Sequence, residues 1–365
     1  MNKVLSFLLN QGINKGVFPG AVAGVCTGIG RQKRKFFAHA GICDIRFPEE
    51  PVVESTNFDL ASLTKALSTT LIIYSLVQER KIRLLDTLQS FFPDQIDRDR
   101  DKQGITIEQL LSHSSGLRGY YPFFKDIGPQ KQKSMLKKKL LQFILSDKLE
   151  YESGSDCVYS DFGFVILGAI IEKVTGYGLD TNFENYVTRE TDLSQKIFFN
   201  TLPAIREVST FAATENCPWR GRIMRSEVHD EHCWLMGGVA GHAGLFGEIE
   251  GVLDLCGHIL DQWQSEGNTY AWSHMLKKGL VRRYKNQTWC LGFDTPSAVG
   301  SSGGKYLSPF SVGHLGYTGT SLWIDPEKEL VMVLLTNRVH PSRDNIQIKK
   351  FRPYFHTEII RNIRQ

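Results

Sequence analysis

The sequence contains no C-x-x-C pair. Its seven cysteines, Cys26, Cys43, Cys157, Cys217, Cys233, Cys256 and Cys290, are odd in number and widely scattered. This argues against a disulfide framework and for free thiols in a reducing compartment. No apolar run approaches the roughly 20 residues that a membrane-spanning helix needs. The stretch Val4 to Leu9 is apolar but short, and Asn10 to Gly16 follows without the small-residue cleavage site of a signal peptide. A cytoplasmic protein is therefore expected. An excess of one charge is also missing: 43 Lys and Arg against 39 Asp and Glu leave a formal net charge of +4. That is too slight to argue for a nucleic-acid partner. The basic cluster from Lys131 to Lys139 reads as the wet face of a helix whose other side carries Met135, Leu136, Leu140 and Phe143. Internal repeats and low-complexity tracts are absent, which excludes solenoids and long disordered segments.

What remains is an ordinary globular composition over 365 residues, enough for two domains or for one large domain with an insertion. Val4, Leu5, Leu8, Leu9 and Ile13 predict an amphipathic helix over 3–14. Ala21 to Thr27 and Lys35 to Gly41 predict a hairpin around Gly28-Ile29-Gly30-Arg31. Further on, Glu108 to Leu117 predicts a short helix closed by Gly116, and Val165 to Val174 an apolar helix ended by Gly176. Trp289 to Phe293, Ser321 to Asp325 and Glu329 to Asn337 predict strands, and 345–363 a final helix. The two ends of the chain thus contribute an antiparallel sheet flanked by helices, with the middle of the chain inserted between them. The stretch from Arg118 to about 150, rich in aromatic and basic residues, predicts either a packed loop or a lid.

The candidate chemistry begins at Ala61-Ser62-Leu63-Thr64-Lys65, at the start of an almost wholly apolar run to Val77. On a helix, residues three apart share a face, so the Ser62 hydroxyl and the Lys65 amine come close enough to share a proton. A free lysine leaves only about one amine in 2500 neutral at pH 7. A Lys65 base is therefore expected to have its pKa lowered by roughly three units, about 4 kcal/mol, through burial or a neighbouring cation. The free N–H groups of the helix start stand ready to stabilise an oxyanion.

Tyr159-Ser160-Asp161 precedes a buried helix, where its side chains either project into a cleft or cap the helix. The stretch 211–247 is rich in glycine and holds His229, His232, Cys233 and His242. These residues match no standard zinc spacing, and the glycine run Gly237 to Gly247 lacks G-x-x-x-x-G-K-[ST]. Neither a metal nor a cofactor is expected. Arg220, Arg222 and Arg225 are candidates to meet an anionic substrate if their loop folds toward Ser62.

Taken together, Ser62-Leu63-Thr64-Lys65, Tyr159-Ser160-Asp161 and His314-Leu315-Gly316 resemble the motif set of the penicillin-recognising serine hydrolases. These comprise class C β-lactamases, D,D-peptidases and related esterases. Leu110 to Leu117 resembles a stretch that recurs between the first two motifs. The resemblance implies an α+β fold of the β-lactamase/transpeptidase type. An α/β sheet domain would be formed by 1–80 and 225–365, a mostly helical domain by 81–224, and the active site would lie in the cleft between them. It also implies acyl transfer from a small-molecule or peptide substrate carrying an ester or amide. Ser62 would be the nucleophile, Lys65 and Tyr159 would move its proton, and His314 would line the opposite wall. The oxyanion would lie between the N–H groups of Ser62 and Tyr317, and a side chain at Gly316 would crowd the acyl group. Asp161 stands where class C enzymes have asparagine, and His314 and Leu315 replace the lysine and threonine that help hold a substrate carboxylate. An esterase or a peptidase related to cell-wall peptides is thus expected ahead of an efficient β-lactamase. The alternative is a binding or scaffold protein on the same fold with a vestigial site.

Overall fold

The computed structural model describes residues 1–96, 100–128, 133–201, 210–265, 272–283 and 287–363. The first two lysine-cluster positions, 131 and 132, and the end of the aromatic loop at 129–130 lie outside them. Five strands form one antiparallel sheet: β1 (Gly20–Thr27), β2 (Arg34–Gly41), β3 (Val312–Leu315), β4 (Ser321–Asp325) and β5 (Leu330–Thr336), in the order β2-β1-β5-β4-β3. Strand β1 pairs with β2 on one side and with β5 on the other, so the two ends of the chain meet at the centre of the sheet. The expected hairpin and C-terminal strands are present within a residue or so.

Both faces of the sheet are covered, which is why its central strands read as continuous apolar runs. Successive side chains on a strand point to opposite faces. Ala21, Ala23 and Val25 of β1 and Met332 and Leu334 of β5 therefore pack against Leu5, Leu8 and Leu9 of α1 (Asn2–Asn14), together with Phe351, Phe355 and Ile359 from the last helix. Val22, Val331, Val333 and Leu335 face the other way, into the main core. That core also takes in buried residues of three helices, α2 (Leu71–Gln78), α3 (Asp161–Thr175) and α4 (Ile249–Gln264), of which α4 packs on β1 and β5. The last helix, α5, spans Ile348–Ile363. Each of these fully buried Leu, Ile or Phe side chains contributes about 1.5 to 3 kcal/mol.

A second, three-stranded sheet pairs Phe58–Asp59 and Ile197–Phe199 with Leu245–Gly247. It anchors the chain immediately before Ser62. Three expectations differ from the structure. Trp289 to Phe293 is not a strand, because Gly292 turns the chain at φ 80 and the β-pairing of Trp289 is an isolated bridge to Asp294. The Gly292 turn is forced, since a Cβ there would lie 2.0 Å from Thr70 Oγ1. The short helix spans Ile107–Leu111 and ends at Ser112, with His113 at φ 58, rather than running on to Gly116. The final helix starts at Ile348 rather than at 345. Among the described residues no single helix is long and apolar enough to cross a membrane.

Candidate active site

Ser62 sits in a tight turn held from both sides. The preceding residue, Ala61, has φ 47, a left-handed conformation that costs a residue with a Cβ about 1 to 2 kcal/mol. Buried Asp59 holds it there, accepting the Ala61 N–H on Oδ1 at 2.8 Å and the His229 N–H on Oδ2 at 2.6 Å. Thr318 Oγ1 donates to the Asp59 carbonyl at 2.8 Å and Thr320 Oγ1 to the Leu60 carbonyl at 3.2 Å, tying the turn to the chain beyond β3. After Ser62 the helix runs through a wide π-type turn, Lys65–Thr70, before becoming α2. Such turns are rare and cluster at functional sites.

Lys65 is fully buried and is the hub of the site. Its Nζ donates to Ser62 Oγ at 3.0 Å, to Asp161 Oδ1 at 2.6 Å and to the His242 carbonyl at 3.1 Å, and lies 4.9 Å from the centre of the Tyr159 ring. The Tyr159 hydroxyl lies near enough to Lys65 and Ser62 for each to influence its titration. Here the structure reverses an expectation. Burial works against the ammonium, but the Asp161 carboxylate and Tyr159 outweigh it, and the Lys65 pKa is raised rather than lowered. Burial also raises the Tyr159 pKa, against the pull of Lys65. In the resting site Lys65 is an ammonium and Tyr159 a neutral phenol.

Tyr159 and Asp161 flank the first turn of α3, and the residue between them takes the capping role. Ser160 Oγ accepts the Gly163 N–H at 3.2 Å and donates to the Arg118 carbonyl at 2.8 Å, while its N–H meets His113 Nδ1 at 3.1 Å. Both readings of this motif therefore apply, each to different residues. The glycine-rich loop packs against the helix that follows Ser62 through its backbone. Gly241 offers its carbonyl to Thr69 Oγ1 at 2.7 Å, and a Cβ there would fall 2.1 Å from the Phe164 carbonyl of α3.

On the opposite wall His314 Nδ1 lies 2.9 Å from the Leu315 carbonyl, which can only accept, so Nδ1 carries the proton. Nε2 is then a lone pair, buried without a partner among the described residues. Burial, with help from the Lys65 cation, pushes the His314 pKa down to about 3, so the ring is neutral. At Gly316 a Cβ would lie 2.0 Å from Thr320 Oγ1 and 2.7 Å from the Leu60 carbonyl, so the protein's own packing requires glycine there. Neither the Ser62 nor the Tyr317 N–H is engaged by a described residue.

Two cavities meet at Ser62, Tyr159 and Tyr317. One, of about 320 Å3, is lined by His314, Arg338, Lys349 and Arg352. The other, of about 420 Å3, is lined by Tyr120, Asp161, His229, Asp230, Glu231 and Arg343. Arg352 was not legible as a site residue. It is buried, it donates through Nη2 to the Gly316 and Thr320 carbonyls at 2.6 and 2.7 Å, and its Nε has no partner among the described residues. Burial and the nearby Arg338 lower its pKa to about 9.

Arg220, Arg222 and Arg225 line neither cavity. They are held by the Val228 and His229 carbonyls, by Glu227 and by Glu50 respectively. Nor do His229, His232, Cys233 and His242 converge: His229 meets Glu215, His242 meets Asp230, and Cys233 bonds the Ala243 carbonyl. Among the described residues, Glu215, Cys217 and Glu231 do bring possible metal-ligand atoms within 4.8 Å of one another. Arg343 already bridges the two carboxylates.

The beta-lactamase family model matches residues 8–352. A protein of Salmonella agona, provisionally named D-alanyl-D-alanine carboxypeptidase, is 33% identical over 321 residues, covering 82% of this chain and 73% of its own length. Among solved structures, EstCE1, a hydrolase with promiscuous acyltransferase activity, superimposes with a TM-score of 0.73 at 20% identity over 96% of this chain and 97% of its own. A class C beta-lactamase does so with a TM-score of 0.72 at 17% identity, covering 97% and 95%.

Proposed function

Since the chain belongs to the beta-lactamase family and so to a superfamily of serine hydrolases, we propose that it hydrolyses an ester or amide through an acyl-enzyme on Ser62. The observation that carries this reading is the 3.0 Å contact between Lys65 Nζ and Ser62 Oγ, set beside two unengaged N–H groups, those of Ser62 and Tyr317. Ser62 Oγ attacks the carbonyl. The Lys65–Tyr159 pair titrates as a unit, and once it has lost one proton to solvent it takes the proton from Ser62 Oγ and hands it to the leaving group. The oxyanion settles between the two N–H groups, each worth about 3 to 4 kcal/mol of barrier. Water then repeats the sequence on the acyl-enzyme.

The cationic cavity favours a substrate with a carboxylate on one flank. Arg352 and Arg338 stand there, and the described residues place no carboxylate within ion-pair distance of either. They take over the task that lysine and threonine perform where His314 and Leu315 stand. The name of the Salmonella relative agrees with a peptide carrying a free C-terminus, and that of EstCE1 with an ester. We retain the division into 1–80 with 225–365 and 81–224, with the cleft between them. We also retain a reducing, cytoplasmic location, supported by seven unpaired cysteines.

Intact mass after incubation with a fluorophosphonate, a p-nitrophenyl ester and a penicillin, for wild type and Ser62→Ala, tests the mechanism. Adducts or turnover that vanish in the variant support it. A folded wild type that no reagent labels points to the vestigial binding role.

A further inference from the structure

Glu231 and Arg343 line two cavities at once. The cavity of about 420 Å3 that opens on Ser62 reaches this pair, and on its far side lies another of about 540 Å3, lined by Phe124, Lys125, Pro218, Trp219, Pro341 and Ser342 among others. What separates them is a bridge of side chains. Arg343 Nη2 donates to Glu231 Oε1 at 2.5 Å, and Nε to Glu215 Oε1 at 2.6 Å. The wall beside the bridge is continuous. Tyr120, from the Ser62 side, and Phe124, from the far side, both pack on the buried His232 ring, at 5.5 and 5.6 Å, and Phe124 also meets Trp219 at 5.2 Å.

We propose that the far cavity is a subsite for the acyl portion of an extended, peptide-like substrate, whose chain crosses the Glu231–Arg343 bridge on its way from Ser62. The assignment rests on the hydrolase reading above. In a peptide with a free C-terminus the carboxylate belongs to the leaving amine, so the cavity of Arg338 and Arg352 takes the leaving group. The opposite lobe then takes the acyl chain. At the bridge a guanidinium donor and a carboxylate acceptor stand side by side, the complement of the carbonyl and N–H of an amide. Beyond it the faces of Trp219, Pro218 and Pro341 offer apolar surface to a chain. The aromatic loop after Arg118 thus supplies walls to both cavities through Tyr120, Phe124 and Lys125.

The test uses p-nitrophenyl acetate and N-acetylated oligoglycine p-nitrophenyl esters of one to four residues; glycine removes stereochemistry as a variable. Ser342→Trp fills the far cavity from an exposed loop position whose side chain bonds only Asp344. Trp219→Ala removes one wall. In the wild type, kcat/KM is expected to rise about tenfold as the acyl chain lengthens, the worth of one well-packed contact. Ser342→Trp should abolish that rise, read as the ratio of each kcat/KM to that for p-nitrophenyl acetate on the same variant, and Trp219→Ala should reduce it. A length series that is flat in the wild type, or equally steep in Ser342→Trp, overturns the subsite. Failure of the hydrolase reading looks different: acetate turnover would then persist in Ser62→Ala or be missing altogether.

Discussion

Asp161 Oδ1 stands 2.6 Å from Lys65 Nζ, and this contact sets the charge of Lys65. An asparagine in the same place would offer a neutral oxygen and leave burial to lower the lysine pKa. The carboxylate does the reverse. The ascending limb of kcat/KM against pH is therefore expected above neutrality in the wild type. Asp161→Asn should move that limb down by about 1 to 2 pH units, the usual effect of removing one close opposite charge. A pH profile on a p-nitrophenyl ester checks this, and an unmoved limb would mean that another group governs the titration. The charged or titratable neighbours of this pair include Tyr159, Tyr120, His113, His314 and His232, and burial lowers the pKa of all three imidazoles.

Lys65→Ala should lower kcat by about 10² to 10⁴, the span of general acid-base contributions. It should also destabilise the fold by about 3 kcal/mol, because Asp161 loses its partner in a largely buried site. The double variant Lys65→Ala with Asp161→Ala should recover much of that stability and none of the activity. Urea denaturation read beside steady-state kinetics separates the two effects.

Gly316→Ala places a methyl 2.0 Å from Thr320 Oγ1 and 2.7 Å from the Leu60 carbonyl. Overpacking of this kind costs about 1 to 3 kcal/mol. It also displaces the Tyr317 N–H from the nucleophile turn, so kcat should fall more than KM changes. A variant with unaltered kcat would separate Tyr317 from the oxyanion.

Glu215 lies almost fully buried between His229 and Arg343. Burial favours its neutral form, but hydrogen bonds from His229 and Arg343 prevail and lower its pKa to about 2 from an ordinary 4.5. A carboxylate lowered in this way contributes stability above its unfolded pKa and loses it as pH falls through the folded one. Glu215 should therefore contribute about 3 kcal/mol near neutrality, lost progressively between about pH 4.5 and pH 2. Glu215→Gln should be less stable at pH 7 and should show a shallower decline over that window. Parallel curves for the two proteins would assign the acid sensitivity elsewhere.

The parts of the site that sequence reasoning found are those set by local spacing. Ser62 and Lys65 are one helical turn apart, and Tyr159 and Asp161 flank a capping serine, so short-range geometry brings their chemistry together. The charge of Lys65 was misjudged because its partner lies 96 positions away along the chain. Arg352 and Asp59 were missed for a related reason. An arginine in an amphipathic helix and an aspartate after a phenylalanine look like solvated charges until tertiary packing buries them. The sheet was legible from its apolar runs. Trp289 to Phe293 imitated one, and only the close approach of Thr70 to Gly292 shows why it turns instead.

Strand β1 pairs with β5, and Ala21 finds its partner at Thr336. A ribosome adding about 5 to 20 residues per second needs roughly 15 to 60 s to travel from one to the other. During that interval β2 can shield one edge of β1, but the other stays open, an unpaired apolar ribbon of the kind that recruits foreign strands. The newborn chain therefore passes through a period of exposure that its finished form does not reveal. Its yield in a cell depends on how quickly β5 arrives, and on what guards the ribbon until it does.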